Sequence, residues 1–208
     1  MSRFLAAIYD RFMKDTEEAS LQDWRQQLLA NARGDVLEVG AGTGINLPAY
    51  PKMPEPISSL TLAEPDPHMR RRAEARAKSL DLIEVQVVDA PIESLPFADA
   101  SFDTVVCTLV LCSVASQENA LNAIRRVLRP NGQLLFLEHV AAAGNPSRLG
   151  WQKRIEPVWK IIGDGCHLTR DTLGSIESSG FTVQSVTRAS MRKALPILRP
   201  TIRGVALR

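Results

Sequence analysis

Val36-Leu37-Glu38-Val39-Gly40-Ala41-Gly42-Thr43-Gly44 is the stretch on which the fold turns. Val36 to Val39 is a short apolar run closed by glycine, the pattern of a buried strand. Glycines directly after such a strand let the chain turn tightly and approach a ligand with no Cβ in the way. Two familiar phosphate-binding loops fit poorly. No Gly-Lys-Ser/Thr follows, so this is not the loop of nucleoside-triphosphate-binding proteins. The dinucleotide fingerprint needs Gly or Ala at its sixth position, where Ile45 stands. Glu38, at the strand end, repels a pyrophosphate but suits an amine or a sulfonium cation.

Outward from this loop the chain alternates between two periodicities. Upstream, residues 16 to 33 predict a helix with Leu21, Trp24 and Leu28 on one face and Gly34 as its stop. Downstream, prolines at 48, 51, 54 and 56 mark a loop. Leu60, Leu62 and Ala63 form a second strand, and Asp66-Pro67 opens a helix with Asp as N-cap. Val85, Val87 and Val88 make a third strand, and Phe102 to Leu109 a fourth. Ser116 caps a helix carrying Leu121, Ile124 and Leu128. Pro130-Asn131-Gly132 is a turn before a fifth strand, Gln133 to Val140. Strand and helix in alternation, with near-continuous apolar strands, predict an α/β fold with a parallel sheet covered on both faces. Residues 141 to 168 lack clean periodicity. A helix near Thr169 to Ser179, with Thr169 as a candidate cap, and two strands, Phe181 to Val186 and Ile202 to Leu207, follow; these last two suit an antiparallel hairpin.

The whole chain sets outer bounds. At 208 residues, one domain over 1–208 is favoured over two. Hydrophobic residues at 45% and charged ones at 23% describe an ordinary globular protein, which excludes disordered and fibrous classes. A net charge of +2 shows no drive toward nucleic acid. Three cysteines argue against a disulfide framework and for a reducing, cytoplasmic setting. No apolar run reaches the ~18 residues a membrane helix needs. No cysteine pair has metal-ligand spacing with histidines, so no metal set is assigned.

Acids end successive strands. Glu64, beyond the glycine loop, can accept ribose hydroxyls. Asp89, after the third strand, can accept from an adenine amino group. Three strand ends carrying Glu38, Glu64 and Asp89 lie where α/β sheets bind ligands, beyond the carboxyl ends. At this point the glycine loop resembles motif I of the class I S-adenosylmethionine-dependent methyltransferases. The resemblance extends to Glu64, Asp89, Leu95-Pro96-Phe97, Ser101-Phe102-Asp103 and Leu128-Arg129-Pro130-Asn131-Gly132. It implies a Rossmann-like seven-stranded sheet, mostly parallel, with helices on both faces and one antiparallel strand near the C-terminus. The implied cofactor is S-adenosyl-L-methionine. Glu38, Gly40, Ala41 and Gly42 would hold its methionine part, Glu64 with Pro65 the ribose, and Asp89 with the Ala90 amide the adenine. Thr108 and Leu109 would face the methyl donor.

A narrower resemblance lies downstream. Val106 to Val114, Glu138-His139-Val140-Ala141-Ala142 and Asp164-Gly165-Cys166-His167-Leu168-Thr169-Arg170 look like the thiol S-methyltransferases of animals. The implied acceptor is a small molecule, preferably a thiol or hydrosulfide. Methyl transfer to oxygen, nitrogen or carbon of a lipid, quinone or natural product is the enzymatic alternative. A non-catalytic cofactor-binding module is the other. His139, at the end of strand five, is a candidate base, and Asp164 with His167 forms a second candidate set. Residues 141–168 would be a substrate-side insertion and residues 1–33 a helical lid. Within the latter, Phe4, Leu5, Ile8 and Phe12 share a face, with Arg3, Arg11 and Lys14 beside them. This segment reads either as a lid with Tyr9 pointing inward or as a peripheral membrane contact.

Overall fold

The computed structural model describes residues 15–51, 56–80 and 85–208. Tyr9 and the amphipathic stretch around it lie outside the described residues. Seven strands form one sheet in the order β3-β2-β1-β4-β5-β7-β6. They are β1 Gly34–Val39, β2 Ile57–Ala63, β3 Val85–Val88, β4 Phe102–Thr108, β5 Leu128–His139, β6 Thr182–Ser190 and β7 Pro200–Leu207. All pairings among β1 to β5 are parallel, and β7 runs antiparallel to both β5 and β6. The sheet is thus the Rossmann-like one that the family resemblance implied.

The central strands are apolar on both sides, and alternate residues enter two separate cores. Leu37, Val39, Val105, Cys107, Leu134 and Phe136 belong to one. Val36, Val106, Leu135 and Leu137 belong to the other. Helices cover both. The first core is closed by α3 (Gln117–Val127) and α5 (Thr172–Ser178) through Leu121, Ile124, Val127 and Ile176. The second is closed by α1 (Gln22–Leu29) and α2 (Pro67–Ser79) through Leu28, Leu29 and Ala73. The caps read from the sequence hold: the Asp66 carboxylate accepts from the His68 and Met69 amides, and Ser116 accepts from the Asn119 amide.

Several boundaries differ from the sequence expectation. The first helix begins with a π-helical turn, Glu17–Leu21, and ends at Leu29. The strand β5 starts at Leu128, and the expected turn survives inside it as Asn131 in the left-handed region at φ +64°. The cap of α5 is Asp171, which accepts from the Gly174 amide, and not Thr169. Thr169 instead donates its hydroxyl to Glu156. The largest difference is α4, a 17-residue helix over Pro146–Ile162. Its apolar residues do not face a core, which is why no periodicity marked it. Trp151, Val158, Ile161 and Ile162 are exposed. Polar anchors hold it: buried Gln152 accepts from the Ala142 amide and donates to the Val140 and Ile197 carbonyls. Asn145 caps it and Pro146 opens it.

Candidate active site

The parallel strands all deliver their carboxyl ends to one edge of the sheet, and a cavity of about 660 Å3 lies there. The glycine loop forms one wall. Gly40 sits at φ +61°, and a Cβ on it would stand 2.6 Å from Val110 Cγ2, so the loop and the chain after β4 require its absence. Gly42, at φ +58°, has open space where its Cβ would be. It leaves a bare backbone cradle beside the cavity. The Gly42 amide donates to Glu64 Oε2 at 2.8 Å, and the Asp66 amide donates to Glu64 Oε1 at 2.9 Å. Glu64 and Pro65, just past β2, line the cavity with Gly40, Ala41 and Gly42. Burial pushes the Glu64 carboxyl up, against the two backbone amides that favour its charge.

Glu38 stands one layer below. It is buried and outside the lining of the cavity among the described residues. Tyr50 donates its hydroxyl to Glu38 Oε2 at 2.7 Å, and Asn46 donates its amide to Oε1 at 3.0 Å. Burial pushes this carboxyl up to about 7, opposed by those two hydrogen bonds. Its link to the cavity runs through Asn46 to Arg25. The buried Arg25 guanidinium donates Nη1 to Asn46 Oδ1 at 2.7 Å and to Thr108 Oγ1 at 2.9 Å. Its other face is held by the Glu17 carboxylate, with Nη2 at 2.9 Å. Both Glu17 and Arg25 line the cavity. Sequence reasoning missed this chain of contacts, because Glu17, Arg25, Asn46 and Thr108 come from three distant segments and share no spacing.

The opposite wall is the chain after β4. Thr108 and Leu109 line the cavity, and Leu109 adopts φ +59°, a conformation few non-glycine residues hold. Neighbouring bonds fix it. The Leu109 amide donates to the Leu137 carbonyl at 2.7 Å. The amides of Val110 and Leu111 both donate to Glu138 Oε1, and that of Cys112 to Oε2. Glu138, fully buried at the end of β5, is therefore what shapes this loop. In the sequence it stood only as an acid inside an apolar strand and as part of the resembling Glu138-to-Ala142 stretch, with no role assigned.

The remaining candidates are scattered. Asp89 is an exposed group, its side chain 66% accessible, paired with Arg70 Nη2 at 3.0 Å. Neither it nor buried Ala90 lines the cavity, although Pro91, Ile92 and Glu93 do. Asp164 does reach the cavity, carried on a turn after α4 in which it takes φ +51° and Gly165 φ +84°. His167 lies outside the lining, its Nδ1 3.5 Å from Glu156 Oε1. His139 is buried behind the wall, its Nε2 2.6 Å from Cys166 Sγ. The three acid–base candidates are therefore not one constellation; Asp164 alone of them meets the cavity.

Comparison with known proteins agrees with this geometry. A family described as a methyltransferase domain matches residues 37–136, which run from the first strand into the fifth. The human thiol S-methyltransferase TMT1B is 42% identical over 185 residues, covering 86% of this chain and 74% of that protein. The human thiol S-methyltransferase TMT1A is 34% identical over 204 residues, covering 97% of this chain and 82% of that protein. Among solved structures, a SAM-dependent methyltransferase from Thermotoga maritima superposes with a TM-score of 0.69 at 18% identity, over 99% of this chain and 97% of its own. The first two relatives supply the family and the third the fold. The chain therefore belongs to the class I S-adenosyl-L-methionine-dependent methyltransferases, on the branch of the thiol S-methyltransferases.

Proposed function

We propose that this enzyme moves the methyl group of S-adenosyl-L-methionine to the sulfur of a small thiol or hydrosulfide. The observation that carries the acceptor class is the 42% identity to a thiol S-methyltransferase over 86% of the chain. The cavity suits the adenosyl sulfonium: it offers the open Gly42 backbone, the Glu64 carboxylate and a wall of Thr108 and Leu109. When bound, the cofactor supplies an electrophilic methyl carbon on a sulfonium that departs as a neutral thioether. We assign the methionine part to Gly40, Ala41 and Gly42, with Glu38 acting from beneath through Asn46. Glu64 and Pro65 take the ribose. Asp89 and the Ala90 amide take the outer end, the adenine, beside Pro91 and Ile92.

No oxyanion develops in such a displacement, so alignment of acceptor and methyl group supplies much of the rate. A thiol reacts as its thiolate; a free thiol titrates at ~8.5, so only a few per cent is ionised at pH 7 and a group that takes the proton raises the reactive fraction. Asp164, at the cavity, accepts the acceptor's S–H and orients its sulfur. A labelled-cofactor assay over alkyl thiols, hydrosulfide, phenols, quinols and amines tests this. Label transferred to thiols supports the reading. Thiols left unlabelled while a phenol, quinol or amine turns over removes it.

A further inference from the structure

We propose that Cys112, His139 and Cys166 bind one Zn2+ ion just behind the cavity wall, with the fourth coordination position left for the sulfur of the acceptor. The metal site rests on geometry alone; the role of its fourth position rests on the thiol reading above. Cys112 comes from the chain after β4, His139 from the end of β5, and Cys166 from the turn after α4. Their ligand atoms all lie within 4.8 Å of one another. A tetrahedral zinc ion, bonded at ~2.3 Å to sulfur and ~2.0 Å to nitrogen, sets its ligand atoms roughly 3.5–3.8 Å apart. The 2.6 Å separation of His139 Nε2 and Cys166 Sγ needs to open by about 1 Å. That is a small movement of a side chain carried on a turn.

The donors select the ion. Two thiolates and an imidazole are soft ligands, which suit zinc and not magnesium or calcium. Their charges sum with the ion's to zero, which a buried site tolerates. Burial is real: Cys112 is 2% exposed, His139 5% and Cys166 8%. One ring nitrogen of His139, Nδ1, is buried with no hydrogen-bond partner among the described residues. With Nε2 on the ion, Nδ1 keeps the ring proton and stands beside the site without ligating it.

The ligand-bearing backbone is held independently of any ion. The Cys112 amide donates to Glu138, and the Cys112 carbonyl accepts from the His167 amide at 2.8 Å. The Cys166 amide donates to the Gly163 carbonyl at 3.1 Å. Arg170 grips the carbonyls of Leu111 and Val114 on either side. Three protein ligands and an open fourth position are the arrangement of catalytic zinc sites, whereas structural sites close all four. Ser113, Gly163 and Asp164, neighbours of the ligands, line the cavity, so the ion would stand beside the acceptor end. A thiol bound to zinc is deprotonated outright. Its S–H proton passes to the Asp164 carboxylate and on to solvent, and the sulfur forms its new bond to the methyl carbon as the sulfonium C–S bond breaks. The product thioether is a weak ligand and dissociates.

The test starts with protein purified under reducing conditions without chelator. Elemental analysis is expected to find about one zinc per chain, and below roughly a tenth of that in Cys112→Ser and Cys166→Ser. Calorimetry with S-adenosylhomocysteine checks that the variants are folded. Cobalt reloading of the wild type, which needs no variant, should produce a thiolate-to-cobalt charge-transfer band, and that band should shift when an alkyl thiol is added without cofactor. No zinc and no cobalt band in reduced wild-type protein overturns the site. A Cys112–Cys166 disulfide in place of metal overturns it too. A cobalt band indifferent to thiols overturns the fourth-position role. Zinc retained while no thiol is methylated upholds the site and counts against the thiol reading instead.

Discussion

Glu38 was legible as a strand-end acid, but its burial beneath the cavity was not. Its place at the end of an apolar strand marked it as functional, but its carboxylate turns down into a buried network with Tyr50 and Asn46. Burial gives it a pKa near 7, above the ordinary carboxylate value of 4.5. The folded chain thus binds this proton more tightly than the unfolded chain. The corresponding stability is full below about pH 4.5 and is lost as pH rises through about 7, a change of about 3 kcal/mol. Glu38→Gln should flatten that decline. Melting curves from pH 5 to 8 should show wild type losing about 6–12 °C more than the variant; parallel curves would contradict the assignment. Asp164 was visible through the resemblance carried by Asp164-Gly165-Cys166, and it does line the cavity. Asp164→Asn should leave S-adenosylhomocysteine affinity unchanged and lower kcat for thiols about tenfold or more. His139 and Cys166 were each visible as single residues. Their contact was not, because 27 positions separate them and only the fold closes that distance.

Elements whose sequence matched their surroundings could be read in advance. The strands β1, β4 and β5 are buried on both faces and show as apolar runs; α2 and α3 carry their own caps. The helix α4 was hidden because it presents Gln152 inward and its large apolar residues outward. The pairing of β6 with β7 was expected, but its detail was not. A register shift between Val183 and Ser185 bulges β6 toward Gly204. A Cβ on Gly204 would lie 2.0 Å from the Ser185 carbonyl oxygen and 2.8 Å from Phe136 Cζ. Gly204→Ala should therefore destabilise the protein by about 1–3 kcal/mol, read from the urea midpoint. An unchanged midpoint would mean that the bulge relaxes freely.

The molecule as a whole is a sheet that gathers its chemistry at one edge. The turns after β1, β2 and β4 build the cavity, and the turn after α4 adds Asp164 to it. The glycine-loop side of the cavity was legible because Gly40, Ala41, Gly42, Glu64 and Pro65 sit at two strand ends; Asp89 and Ala90, read the same way, lie outside its lining. The acceptor half was not, since it is assembled from segments far apart and from polar contacts without period. Among the described residues no helix is long and apolar enough to cross a membrane. On the reading proposed above, the glycine cradle and Glu64 hold an adenosyl cofactor at this edge. Calorimetric titration with S-adenosylhomocysteine tests it most directly, on wild type and Glu64→Ala side by side. The account predicts one binding event per chain, weakened in the variant by about 1–3 kcal/mol, or roughly 5- to 150-fold. An absence of binding heat in wild type, or equal affinity in the two proteins, would contradict it.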